Sequence, residues 1–262
     1  MTRALIVQGG YRLGDTAHLI PILRKLGEKH DEITWVTGQY AEQASRFLAS
    51  IPSLKIKNLI VLDEYRQPGD ISDRERFVND IFKNDGRGNN KINPADYDEV
   101  ITDVRCSFEI AFNYNGYVGN YPELTYLDLP IEKKFLDYIC VQPDSISKQK
   151  TVKSLVNIDY PLQSITIGNR NELLVFKSQD KRGVAFSESI QLLYQSRFNI
   201  CIHSAMACFS FYLDKPTIII HFFDGQFKFS KFHSNCLDLI TPNSHQIEQA
   251  MSDFSKKFAP QK

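Results

Sequence analysis

The 262-residue sequence has no surplus of charge, 31 Lys and Arg matching 31 Asp and Glu. Without a net field the chain has no general attraction for nucleic acid or an anionic membrane, although a local basic groove stays open. No C-x-x-C pair occurs, and the five cysteines, at 106, 140, 201, 208 and 236, are odd in number. That argues against a disulfide framework or a zinc knuckle and fits a reducing compartment. The six histidines, at 18, 30, 203, 221, 233 and 245, form no i, i+4 pair with a carboxylate third ligand, so no metal site is expected. No G-x-S-x-G elbow is present, which disfavours a Ser-His-Asp hydrolase. No apolar run reaches the length of a membrane-spanning helix. The opening MTRALIVQGG is too short an apolar segment for a signal peptide, so a cytoplasmic location is expected.

What is present is an alternation of short apolar runs with helical periodicities, the pattern of a doubly wound α/β fold. Strands are expected at Ala4–Gln8, Ile33–Thr37, Ile56–Leu62 and Tyr97–Asp103, with helices at Thr16–Lys29 and Ala41–Leu48. Pro21 inside the first helix predicts an irregular start. Residues 63–96 break the rhythm, with a helix expected at Asp73–Phe82 and a loop at Asn84–Asn90, and an aromatic helix or turn follows around Phe108–Tyr121. Leu127–Lys134 reads as a crossover, after which the pattern restarts with Tyr138–Gln142, placed before a polar turn like the opening strand. A helix at Thr151–Asn157, strands at Gln163–Gly168 and Leu173–Phe176, and helices at Ser187–Ser196 and Gln246–Phe258 complete the expected frame. Two α/β domains are predicted, 1–132 and 133–262.

Phe198–Phe222 is a compressed strand–helix–strand unit: FNICI, a helix from Met206 to Leu213 that Ser204 can cap, the stop Lys215-Pro216, and the β-branched run Thr217–Ile220. Backbone N–H groups of Ala205, Met206 and Ala207 at that helix start carry the positive end of its dipole and suit a phosphate. His203 either adds a donor there or is an ordinary polar residue at a strand end. Near the N-terminus, Gly9-Gly10-Tyr11-Arg12-Leu13-Gly14-Asp15 is out of register with a dinucleotide fingerprint and lacks a Walker lysine. Its carboxylate, Asp15, is a helix cap or a base held ionised by the helix N-terminus. Lys148 and Lys150, beside Ser145 and Ser147, are surface lysines or phosphate ligands. The segment Phe222–Phe232, with Lys228 and Lys231, is able to stack bases or to pack across a domain interface.

In combination these stretches resemble the heptosyltransferase-type glycosyltransferases, the group that includes the ADP-heptose:lipopolysaccharide heptosyltransferases. The resemblance rests on Gly14-Asp15, Ile20-Pro21-Ile22-Leu23-Arg24, Glu32–Val36, Tyr97–Ile101, Pro143, Ser147-Lys148, and the late pair Ser204 and Lys215-Pro216. The late motif departs at three positions, where His203, Ala205 and Cys208 replace the family's acid, glycine and histidine. The resemblance implies a GT-B fold, two Rossmann-like domains facing across a cleft, with acceptor on the first and a nucleotide-diphosphate sugar on the second. It implies inverting, metal-independent transfer to a hydroxyl of a glycan or glycolipid, with no cofactor beyond the donor substrate. Asp15 is then the general base. Gly10, Lys148, Lys150, Ser187, His203, Ser204, Ala205 and Met206 are the expected donor contacts. That acceptor class allows peripheral membrane contact, and nucleic acid is not an expected partner. The alternative is a catalytically degenerate protein of the same fold that binds a sugar nucleotide or phosphate without transfer.

Overall fold

The computed structural model describes residues 1–8, 13–62, 82, 92–102, 126–131, 136–144, 152–224, 226 and 228–259; the side chains of Asp15 and Tyr40 are outside that set. The expected elements at 73–81, 84–90 and 108–121, and residues 132–134 of the crossover, also lie outside it. The chain divides into two compact units, Met1–Thr125 and Tyr126–Lys262.

In the first unit β1 (Arg3–Gln8), β2 (Glu32–Gly38), β3 (Ile56–Leu62) and β4 (Glu99–Ile101) form a parallel sheet in the order β3-β2-β1-β4. β1 is central, and its residues 4–8 are buried on both faces, which is why ALIVQ is a near-continuous apolar run. Leu5 and Val7 pack with Val36 on one face. The expected helix at 16–29 is two helices, α1 (Leu13–Ala17) and α2 (Ile20–Lys29). Pro21 stands in the first turn of α2, where its missing N–H costs nothing. α3 (Glu42–Ala49) returns the chain to β3. β4 is shorter than expected; just before it, Asp98 bonds Arg3 twice, its N–H donating to the Arg3 carbonyl at 2.9 Å and its carboxylate accepting the Arg3 N–H at 2.7 Å.

In the second unit β5 (Tyr138–Gln142), β6 (Gln163–Gly168), β7 (Gln179–Arg182), β8 (Phe198–Ile202), β9 (Thr217–His221) and β10 (Cys236–Ile240) form a second parallel sheet, ordered β10-β9-β8-β5-β6-β7. Its helices are α4 (Phe186–Gln195), α5 (Ala205–Tyr212) and α6 (Ser244–Lys257). Ile139, Val141, Phe198, Ile200, Ile202, Ile218 and Ile220 form one core with Ile247, Ala250, Met251 and Phe254 of α6. Each large apolar side chain buried there contributes about 1.5–3 kcal/mol. Asn243 and Gln246 start α6 with a reciprocal capping box, the side-chain bonds both measuring 2.9 Å.

Two expectations fail here. The described part of the predicted helix at 151–157 holds only a 3-10 turn, Lys153–Leu155, in which Leu155 is the buried residue, so no amphipathic face long enough to stabilise a helix is formed. The predicted strand at Leu173–Phe176 is a loop, in which the Val175 N–H bonds the Thr166 hydroxyl at 3.2 Å rather than a ladder partner. The strand that pairs with β6 is instead the polar Gln179–Arg182, an edge strand whose charged side chains suit its solvent-facing position.

The face of the second sheet opposite α6 carries a buried polar ring. The Ser196 hydroxyl donates to Asn199 Oδ1 (2.7 Å), Asn199 Nδ2 donates to Ser210 Oγ (2.7 Å), and Ser210 meets Thr217 Oγ1 at 2.6 Å. Thr217 donates to the Lys215 carbonyl (2.8 Å), and Lys215 Nζ, with a fully buried side chain, donates to the Ser196 carbonyl (2.6 Å). That ammonium sits at the C-terminus of α4, the negative end of its dipole. Asn199→Leu removes three buried hydrogen bonds, while the Ser196 hydroxyl keeps the Leu193 carbonyl (2.8 Å) and Ser210 keeps Thr217, and urea unfolding is expected to show a loss of about 1–3 kcal/mol with an unchanged denaturant slope.

In the first unit Lys29 Nζ (2.5 Å) and His30 Nε2 (2.9 Å) both bond Glu99. Burial pushes the Glu99 carboxyl up, but the two hydrogen bonds outweigh it and hold it below its ordinary value. Stability from this group is therefore present above the unfolded value, about 4.3, and is lost as pH falls through the folded one. Glu99→Gln is expected to be less stable than wild type at neutral pH, with the difference closing below about pH 4 in pH-resolved thermal unfolding.

Candidate functional site

In an open parallel sheet, ligands collect outside the carboxyl ends of the strands where the winding direction reverses. In the first sheet the chain winds from β1 through β2 to β3 and then returns to β1's other side as β4, so the reversal lies at the end of β1. β1 ends at Gln8, which is fully buried beside its register partner Thr37. The Gln8 amide donates to Thr16 Oγ1 at 3.2 Å and accepts the Thr37 hydroxyl at 3.3 Å. Thr16 follows Asp15 in α1, so this clamp fixes the short helix that carries the proposed base. The Asp15 side chain and Gly10 lie outside the described residues.

The second sheet repeats the device. The chain winds from β5 to β6 and β7, then crosses back to place β8 on the other side of β5. β5 ends at Gln142, also buried, and the Ser204 hydroxyl donates to its Oε1 at 2.5 Å. Ser204 occupies the N-cap position of α5 with extended backbone, φ −150 and ψ −172, but its side chain makes no cap hydrogen bond. The expectation that Ser204 caps the helix with its side chain is thus corrected: Gln142 claims the hydroxyl, and the first-turn amides are left to other acceptors. α5 is anchored by burial of every residue from Met206 to Tyr212. Its positive end lies at the reversal point and has the polarity for a phosphate.

The structure brings together His203, Ser204, Ala205 and Met206 at the end of β8 and the start of α5. Ser187 is exposed in the first turn of α4, where the neighbouring Glu188 pairs with Lys181 at 3.4 Å. Phe186 of the same turn packs edge to face on Phe209 of α5, with ring centroids 5.2 Å apart. Lys148 and Lys150 lie outside the described residues.

Sequence reasoning missed five side chains: His221, Phe229 and Gln226, which contact His203, Asp238, which bonds His221, and Glu172, in the loop after β6. The His203 ring stacks on His221 at 5.0 Å and meets Phe229 edge-on at 5.5 Å. His221 Nε2 is 2.5 Å from Asp238 Oδ1, and Asp238 Oδ2 accepts the Ser230 N–H at 2.7 Å. Burial pushes the Asp238 carboxyl up, but the bonds from His221 and Ser230 prevail and keep it below its ordinary range. Gln226 bonds His203 Nδ1 at 2.8 Å. At the end of β6, Glu172 is buried, its Oε1 accepting from Asn169 at 2.9 Å and its Oε2 without a partner among the described residues. Burial raises the Glu172 carboxyl, Asn169 partly opposes this, and the Asp144 charge on the turn after β5 adds to the rise. One signal was legible: ALIVQ and YICVQ end in the same residue at equivalent places. Among the described residues no group of three His, Cys, Asp or Glu is placed to hold a metal ion, and no helix is long and apolar enough to cross a membrane.

No family model and no curated protein matches the sequence. Solved structures do match. The Escherichia coli heptosyltransferase WaaC with ADP aligns over 97% of this chain and 100% of its own, with 12% identity and a TM-score of 0.60. A family 9 glycosyl transferase from Veillonella parvula aligns over 96% of this chain and 89% of its own, with 13% identity and a TM-score of 0.61. The iron-containing dodecameric heptosyltransferase TibC, in complex with ADP-D-beta-D-heptose, aligns over 98% of this chain and 77% of its own at 10% identity and a TM-score of 0.54. The fold is that of the heptosyltransferases. Both units take part in the likeness, and within the heptosyltransferase fold of this chain each sheet keeps a buried glutamine at its reversal point.

The two assignments of Ser204 predict opposite results. Aspartate is as good an N-cap as serine but has no proton for Gln142. Ser204→Asp is expected to lower stability in chemical denaturation by about 1–3 kcal/mol, whereas a capping role predicts no loss.

Proposed function

We propose that this protein is an inverting, metal-independent glycosyltransferase that moves a sugar from a nucleotide-diphosphate donor to a hydroxyl of a glycan or glycolipid. The observation that carries the reading is the α5 start at the reversal point of the second sheet, with its dipole directed outward and Ser204 withdrawn to Gln142. The heptosyltransferase fold over nearly the whole chain supports it, as does the ADP or ADP-heptose held by WaaC and TibC.

In this reading the first unit binds the acceptor and the second the donor. The Asp15 carboxylate takes the acceptor hydroxyl proton, the acceptor oxygen bonds the anomeric carbon from the face opposite the leaving group, and the bond from that carbon to the β-phosphate oxygen breaks. The nucleoside diphosphate departs with the bonding pair. Amides of Ala205 and Met206, with His203, Lys148 and Lys150, stabilise that charge, and Gly10 and Ser187 contact the donor. Fixed donors placed where charge develops need no reorganisation at the moment of reaction, which is how a dipole end and lysines serve in place of a metal.

Asp15→Asn is expected to cut transfer by about 10²–10⁴-fold while calorimetric donor affinity holds. Double alanine replacement of Lys148 and Lys150 weakens donor binding instead. Turnover that survives in the Asp15 variant removes the base, and activity abolished by a chelator and restored by added metal removes metal independence. ADP-, UDP-, GDP- and CMP-linked sugars, screened by thermal shift, identify the donor by the stabilisation it confers.

A second reading, ligand binding without transfer, is favoured by Cys208. This residue stands where the family motif has histidine, and at 5% exposure it is withdrawn into α5. Nucleoside diphosphate binding with neither transfer nor donor hydrolysis decides for it.

A further inference from the structure

The two ring nitrogens of His203 are made unequal by Gln226. The Gln226 Oε1 accepts the Phe222 backbone N–H at 2.7 Å, and its Nε2 lies 2.8 Å from His203 Nδ1. A backbone N–H only donates, so the amide oxygen must face Phe222 and the NH2 must face the imidazole. Nδ1 is then an acceptor, and the neutral ring carries its proton on Nε2. The opposite tautomer would set an Nδ1–H against the amide NH2. Rotating the amide to relieve that clash would set the NH2 against the Phe222 N–H, so either arrangement forfeits a hydrogen bond.

The ring is held on its other sides as well. His221 stacks against it with the planes inclined by 33°, and Phe229 meets its edge. His221 is itself fixed by Asp238, and the Asp238 carboxylate also receives the backbone N–H of Phe229 at 3.3 Å and of Ser230 at 2.7 Å. The segment after β9 that supplies Gln226 and Phe229 is therefore tied to β10 through the same carboxylate. Nothing in the spacing of residues 203, 221, 226 and 238 announces this arrangement.

We infer that Gln226 is a positioning residue that fixes His203 as its Nε2–H tautomer and so equips it as a hydrogen-bond donor for a diphosphate at the start of α5. The inference rests on the donor-site reading above and adds to it a residue outside the expected contacts. A neutral N–H donor at this point works with the helix amides, all of them presenting hydrogen to an oxyanion that gains charge as it leaves.

The test combines two readouts on the full chain. Long-range 15N–1H spectra, with the His203 signals assigned by comparison with His203→Ala, report the tautomer. Calorimetry with ADP and with inorganic pyrophosphate reports anion binding. Wild type is expected to show the Nε2–H signature. Gln226→Leu, which keeps the side chain's bulk but neither hydrogen bond, is expected to show a mixture of tautomers and affinity for both probes weaker by about three- to tenfold. In a His203→Ala background the Gln226 substitution is expected to have no further effect, since the coupling runs through the ring. An equal loss in both backgrounds, or an Nδ1–H signature in a wild-type protein that binds ADP, overturns this inference and leaves the donor site standing. Failure of wild type to bind either probe overturns both. Binding of pyrophosphate with the expected Gln226 dependence, but no gain from a nucleoside, upholds the inference and sinks the nucleotide-sugar reading.

Discussion

A glutamine buried at the carboxyl end of a central strand must pair its amide with the side chains that meet there, and both sheets satisfy that constraint at the strand end. Leaving such a group unpaired costs about 1–3 kcal/mol, so the neighbouring hydroxyls are strongly held. Gln8 holds Thr16 of α1 and Thr37 at the end of β2. Gln142 holds Ser204 at the entry to α5. In each unit the clamp lies where the strand order reverses, and the helix it steers is the one that carries the proposed chemistry.

The steering works because the helices are otherwise immobilised. α5 has no polar stripe to face solvent; seven consecutive residues are buried, so its position is set by packing on several sides. Apolar contacts alone leave rotation and register weakly specified, and the ring joining Ser196, Asn199, Ser210, Thr217 and Lys215 supplies the specificity. Its members come from the end of α4, from β8, from α5 and from the turn into β9. The hydrogen bonds thereby tie the strand–helix–strand unit together around the helix start, as the proposed stabilisation of a leaving group requires.

Much of this frame was legible in the sequence because its signals are local. Uninterrupted β-branched runs such as TIII mark strands buried on both faces, Pro21 marks a helix start, and Lys215-Pro216 marks a helix stop. The misses have two causes, strands defined by their pairing and a segment limited by its length. Gln179–Arg182 carries no strand signal because an edge strand needs few apolar side chains; its strand character comes from pairing with β6. Cys236–Ile240 gives a weak pattern for a similar reason, its residues being partly exposed and its ladder supplied by β9. Residues 151–157 carry helix-compatible residues over a length too short to nucleate without help.

By itself the sequence determined which segments are strands buried on both faces, that they recur in two successive α/β units, and that a helix begins after His203, since periodicity and stop residues act over a few positions. Only the tertiary structure decided where the Ser204 hydroxyl goes, that Gln226 faces His203, and that His221 and Asp238 stand behind it. Those choices depend on which strands become neighbours, and a side chain 62 residues away, as Gln142 is from Ser204, leaves no trace in the local pattern of either residue.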